Sequence, residues 1–118
     1  MRRVDLATLR AAWWAQVSLR RTRRKLRRHG LADTVVAAPP RLDDHAGRGV
    51  RAVLRRTSST CLERALVLQR WQAAHGTERD VIIAVRGPGD NFAAHAWVDG
   101  EPDFEPGTFH ELLRLPAR

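Results

Sequence analysis

Hydrophobic and polar positions divide the chain into a helical front and a strand-forming back. From Val4 to about His29, Leu6, Leu9, Trp13 and Val17 recur at three- and four-residue spacing, one apolar stripe that predicts a helix. Gly30 is placed to cap its C-terminus. Ala37 to Gly49 holds Pro39-Pro40, Asp43-Asp44 and two glycines and reads as a connector. Val50, Val53 and Leu54 predict a short second helix ending near Thr57. Thr60-Cys61-Leu62-Glu63 has the form of a capping box, in which Thr60 caps the Glu63 amide and Glu63 reaches back to the Thr60 amide. The helix it starts is apolar on more than one side, through Leu62, Ala65, Leu66 and Leu68 to Trp71, so it is expected to be central and largely buried, ending at Gly76.

The back half changes period. Val81-Ile82-Ile83-Ala84-Val85 is a continuous apolar run of strand length, expected to be buried on both faces. Gly87 to Asn91 reads as a loop and Phe92 to Val98 as a second strand. Asp99-Gly100 is a hairpin signal, leading to a short third strand from Glu101 to Glu105 that Pro102 keeps at an edge. Thr108 to Arg118 is a strand or coil. Helices first and an antiparallel sheet after them make the fold class α+β, and no internal repeat is visible.

Length and charge sharpen this picture. With 118 residues the chain is expected to form one domain with one modest core. Residues 1–56 carry 15 Lys/Arg and 4 Asp/Glu, a net of +11, whereas residues 57–118 carry 6 and 9, a net of −3. Seven cations fall between Arg20 and Arg28: Arg20, Arg21, Arg23, Arg24, Lys25, Arg27 and Arg28. Cations near a helix C-terminus are favoured by its dipole, which accounts for part of the run. The asymmetry points to a basic helical docking region over 1–56 and a chemistry-bearing core over 57–118. The one cysteine permits no internal disulfide. Met1 is followed by two arginines with no apolar signal-like stretch, and Val4 to Leu19 is too short and too charged to span a bilayer. These features favour a reducing cytoplasm, where a lone thiol stays available.

The candidate chemistry is that of Cys61 and His95. A thiol becomes nucleophilic on losing its proton, and the unpaired amides and dipole of a helix start stabilise a thiolate. Those amides can also donate to an oxyanion. A lone cysteine otherwise reads as a small buried hydrophobe. His95 lies mid-strand between Ala94 and Ala96, where a satisfied core histidine is the plain alternative. Taken together with a helix-start cysteine, the general-base reading becomes the better one. The base needs an orienting acceptor, and Asp103 and Glu105 are the nearest acids downstream. A strict two-residue turn would put them on the opposite face from His95, so a bulged or three-residue turn is required. Otherwise they are solvated edge charges. His29 and His75 fall near helix ends, His45 in a loop, and His110, on the tail, is the rival base. None has metal-ligand spacing with Cys61, which argues against zinc, and no phosphate-binding glycine loop is present, so no cofactor is expected.

Cys61-Leu62-Glu63-Arg64-Ala65-Leu66, Val81 to Arg86 and Phe92-Ala93-Ala94-His95-Ala96-Trp97-Val98, in this order and spacing, resemble the lasso-peptide leader peptidases of the transglutaminase-like cysteine peptidase superfamily. The likeness covers about residues 57–115. It implies a transglutaminase- or papain-like core, with a catalytic helix packed on a small antiparallel sheet. It also implies a Cys–His–Asp triad carried by Cys61, His95 and an acid after the histidine strand. Many members have a longer hairpin there; Asp103 keeps the usual residue type and is preferred to Glu105. The resemblance implies removal of the leader from a ribosomally made precursor, beside a small leader-binding protein and an ATP-dependent macrolactam synthetase. The chain looks like the stand-alone form, and its basic first helix would suit docking of partner or leader. Rival readings are a nucleic-acid-binding module built on the basic run, an inactive transglutaminase-like scaffold, and an amphipathic helix on an anionic membrane. The chemistry-bearing half is not basic and no nucleic-acid fold appears, which favours partner docking.

Overall fold

The computed structural model describes residues 5–86, 93–101 and 109–117. Three helices come first: α1 over Leu6–His29, α2 over Gly47–Arg56 and α3 over Cys61–Ala74. Strands β1 (Val81–Arg86), β2 (Ala93–Val98) and β3 (His110–Leu115) follow, so the chain is α+β as its periodicity indicated. Among the described residues no helix is long and apolar enough to cross a membrane.

Helix α1 starts where Asp5 accepts from the Thr8 amide at 2.8 Å, a side-chain cap for an otherwise orphan donor. That bond, with His45 Nε2 at 2.7 Å on the other carboxylate oxygen, holds the exposed Asp5 well below the ordinary aspartate value. The helix ends at Gly30, whose φ of 74° suits glycine and whose amide donates to Leu26. The buried face of α1 is not the expected stripe. Leu6 and Trp13 are each 72% exposed, and Leu9 is 55% exposed. The face turned inward is Thr8, Ala11, Trp14, Ala15, Ser18, Leu19 and Thr22. Small residues win because α2 crosses here at close range: a Cβ on Gly49 would land on the Thr8 carbonyl oxygen. The connector reading of 37–49 is corrected for the same reason. Gly49 serves close packing rather than a turn. A 3-10 turn at Asp44–Ala46 and the first residues of α2 already occupy that stretch.

Helix α3 is central, as its apolar residues on several sides require. Val67 and Trp71 join Ala11, Trp14, Ala15, Leu19, Val50 and Leu54 in one core. Ala65 and Leu66 join Val81, Ala96 and Val98 in a second, against the sheet. Trp71 lies 5.9 Å from the Trp14 ring and 4.2 Å from that of His75. The helix closes at His75, whose ring nitrogens lie 2.8 Å from the Trp71 carbonyl and 3.0 Å from that of Leu42, and Gly76 turns away at φ 85°.

The sheet order is β2-β1-β3, antiparallel throughout. Val81 and Ile82 are both buried, so β1 is covered on both faces at its start. The ambiguous tail is a strand, paired to β1 with a register shift between Ile83 and Ala84. Gln69 of α3 ties the end of that strand, donating at 2.8 Å to the carbonyls of Arg79 and Leu115. After β2 the chain turns through Asp99 and Gly100, with the Glu101 amide donating to Val98 at 3.0 Å. Gly100 has φ 88° and Asp99 a negative φ, the signs of a type II turn rather than the type I′ turn that an Asp-Gly hairpin favours. The Gly87–Asn91 loop and, beyond Glu101, the third strand expected to end at Glu105 lie outside the described residues.

Candidate active site

Cys61 is the first residue of α3, and its position is set by a doubly bonded cap. The Glu63 amide donates to Thr60 Oγ1 at 3.1 Å and the Thr60 amide donates to Glu63 Oε1 at 3.0 Å. This is the capping box read from the sequence. The Arg64 amide closes the first turn on the Thr60 carbonyl at 3.1 Å. Among the described residues these bonds leave the amides of Cys61 and Leu62 uncommitted at the helix start, beside the thiol.

The cap has a second layer that sequence reasoning missed. Arg23 of α1 reaches Glu63 with a two-pronged contact, Nε to Oε2 at 3.2 Å and Nη2 to Oε1 at 3.2 Å. The same Nη2 donates to the Ser58 carbonyl at 2.8 Å. One guanidinium thus fixes both the capping carboxylate and the segment leading to Cys61. Glu63 is 4% exposed. Burial pushes its carboxyl upward, but the hydrogen bonds from Arg23 and the Thr60 amide, with the charges of Arg23 and Arg27, outweigh it and hold Glu63 below the ordinary glutamate value. The basic run is therefore not uniform: Arg23 serves the Cys61 helix and Lys25 donates to the Val35 carbonyl at 2.7 Å. Arg20, Arg21, Arg24, Arg27 and Arg28 remain exposed. No one-dimensional signal pairs residues 40 apart; the capping box alone marked Glu63.

Cys61 and His95 border one cavity of about 640 Å³, with Leu54, Ala65, Leu68, Ala96, Trp97 and Val98 among its walls. The cavity follows the outer edge of β2, so residues of both strand faces reach it. Ala96 and Val98 pack into the core against α3. His95 and Trp97 alternate with them, their rings stacked at 5.8 Å and 23°. Phe109 lies 5.9 Å from the His95 ring, so aromatic rings on two sides hold the imidazole. Within the sheet His95 stands opposite Ala84.

Asp103 and Glu105, the expected orienting acids, lie outside the described residues. The acid found on the cavity wall is Glu101, held by Arg51 at 2.7 Å and Arg79 at 3.8 Å. His110, the rival base, is exposed on β3 and is not part of the cavity. Among the described residues no cluster of His, Cys, Asp and Glu has the form of a metal site.

No curated protein matches the chain, and no solved structure matches it. A family model does, that of the transglutaminase-like superfamily, over residues 4–107. The fold of that superfamily is of cysteine-peptidase type, and its chemistry is that of peptidases and transglutaminases. The match runs from α1 to beyond Glu101 and takes in both Cys61 and His95, so the chain belongs to the transglutaminase-like superfamily.

Proposed function

We propose that this protein is a cysteine endopeptidase that removes the leader from a ribosomally made lasso-peptide precursor in the cytoplasm. The observation that carries the reading is a cysteine at the first position of a doubly capped helix, sharing one cavity with a strand histidine. Family membership and the Ala-His-Ala-Trp-Val string support it.

In this mechanism His95 takes the Cys61 proton, and the thiolate attacks the scissile carbonyl carbon. The carbonyl π electrons move to oxygen, and the uncommitted Cys61 and Leu62 amides are positioned to donate to that oxyanion. Collapse breaks the C–N bond while the imidazolium gives its proton to the departing amine, leaving a thioester on Cys61. Water, deprotonated by His95, attacks the thioester; the thiolate leaves and the leader departs with a free carboxylate. Asp103 would orient the imidazole without reacting, with Glu105 as the alternative. The exposed cations of α1 would dock the leader-binding protein, beside which the macrolactam synthetase acts on the freed core.

The test is cleavage of a leader-bearing precursor with its leader-binding protein present, followed by mass spectrometry. Cys61→Ala and His95→Ala are expected to be folded and inactive, Asp103→Ala much slowed and Glu105→Ala mildly affected. Wild-type turnover by Cys61→Ala would end the cysteine-peptidase reading.

A further inference from the structure

Three arginines line the cavity beside Cys61, and the fold uses them differently. Arg51 is neutralised by Glu101 at 2.7 Å. Arg64 donates to the Ser59 carbonyl and so braces the segment before the cap. Arg55 is exposed and, among the described residues, makes no hydrogen bond or ion pair. It belongs to the last turn of α2, where a cation is favoured by the dipole, but so does Arg56. Arg56 lines a separate groove between α1 and α2, whereas Arg55 lines the Cys61 cavity. Leu54, Leu68 and Trp97 give that cavity apolar walls, which concentrate the field of an unmatched charge. A planar guanidinium without a partner in such a place matches a carboxylate by two parallel hydrogen bonds.

We propose that Arg55 forms an anion subsite beside Cys61, and that the substrate peptide carries an acidic side chain close to its scissile bond, received by that guanidinium. The second half rests on the peptidase reading; the subsite itself does not. A second cavity of about 420 Å³ shares the Arg51–Glu101 pair with the first, but Asp44 and Glu101 on its wall offset Arg48 and Arg79, so the unmatched cation is the one beside Cys61.

Alkylation of the protein's one cysteine reads the subsite without any turnover. Iodoacetate carries a carboxylate and iodoacetamide does not, so the ratio of their rates at Cys61, followed by intact-protein mass spectrometry and normalised to glutathione, reports a local anion site. Arg55→Gln is expected to lower this ratio about three- to tenfold, as for one unit charge removed from the same solvent-screened cavity. Arg55→Lys should keep most of the ratio, and 1 M salt should flatten the difference. Arg24→Gln, at an exposed cation that does not line this cavity, controls for net charge and should leave the ratio alone. An unchanged ratio in Arg55→Gln, or an equal fall in Arg24→Gln, overturns the subsite. If the subsite stands, walking one glutamate through the residues flanking the scissile bond of a precursor tests the substrate claim: cleavage insensitive to its position refutes that claim, and the Cys61→Ala precursor assay judges the peptidase reading separately.

Discussion

Replacing Glu63 by glutamine isolates what Arg23 contributes to the Cys61 helix. Glutamine keeps the length of the side chain and can still accept from the Thr60 amide, so the capping box survives. The charge is lost, and the amide NH2 must face a guanidinium donor at one of the two positions now bonded at 3.2 Å. Hydrogen bonds to a charged group contribute about 1.5–3 kcal/mol against about 0.5–1.5 for neutral ones. Arg23 is 44% exposed at its side chain, so water screens the pair, and the expected loss is about 1–2 kcal/mol at pH 7. For a chain of this size that corresponds to a melting temperature lower by about 4–8 °C. The pH dependence makes the test specific. Glu63 titrates lower when folded than when unfolded, so its contribution is fully present above the unfolded value, ordinarily 4.5. It is lost as pH falls through the folded value. Thermal melts of wild type and Glu63→Gln should therefore differ by a constant amount from pH 6 to 8 and converge in acid, the other carboxylates cancelling between them. A gap that persists undiminished at pH 3 would mean that glutamine fails on shape. No gap at pH 7 would mean that desolvation of the pair cancels its attraction, and either result refutes the clamp.

Gly49→Ala should destabilise by about 1–3 kcal/mol in a denaturant titration, because the new methyl meets the Thr8 carbonyl and the Ala12 amide, which are backbone and cannot swing aside. Charge reversal at Arg20, Arg24 and Arg28 together, with Arg23 and Arg27 left intact, should weaken binding of the leader-binding protein more at 50 mM than at 300 mM salt in calorimetry, with iodoacetamide reactivity of Cys61 little changed; equal affinity at both salts would leave these cations as a solvated face.

Local chemistry was legible in the chain and distant chemistry was not. The Thr60–Glu63 box spans three residues, so its bonds follow from spacing alone, and β1 and β2 follow from short apolar runs between turn residues. Helix α1 misled because its N-terminal half is apolar all round: Leu6, Leu9 and Trp13 outscore Ala11, Ala15 and Ser18 in hydrophobicity, yet only the small set lets α2 approach. Gly47-Arg48-Gly49 looked like a linker because both glycines serve close packing, Gly49 against α1 and Gly47 against Trp71 of α3. The tail was ambiguous because the exposed Leu112 and Leu113 interrupt alternation where β3 shifts register against β1. Arg23 was invisible among six neighbouring cations, since only the fold distinguishes the one that points at Glu63.

That division of the basic run changes what its charge means. A net of +11 over the first half invites a single explanation, a docking surface. The fold withdraws Arg23 and Lys25 from it: Lys25 holds the Val35 carbonyl in the segment after α1, and Arg23 holds the Ser58 carbonyl before α3 and the Glu63 carboxylate in its first turn. Of the five that remain outward, Arg20, Arg24, Arg27 and Arg28 occur at the three- and four-residue steps of one helix face, with Arg21 beside it. The exposed Leu6, Leu9 and Trp13 continue that face toward the N-terminus. Helix α1 therefore has two sides with separate work. Arg23 braces the start of the Cys61 helix through Glu63, and the outer side presents an apolar and then a cationic surface, the face proposed above to meet the partner. Arg27 links them, exposed on α1 yet close enough to Glu63 for its charge to favour the ionised carboxylate. A partner that neutralises Arg27 thus acts on the same electrostatic cluster that fixes the start of the cysteine helix. On the proposed reading, docking and chemistry are neighbours because one helix carries the cationic face and, through Arg23, braces the start of the Cys61 helix.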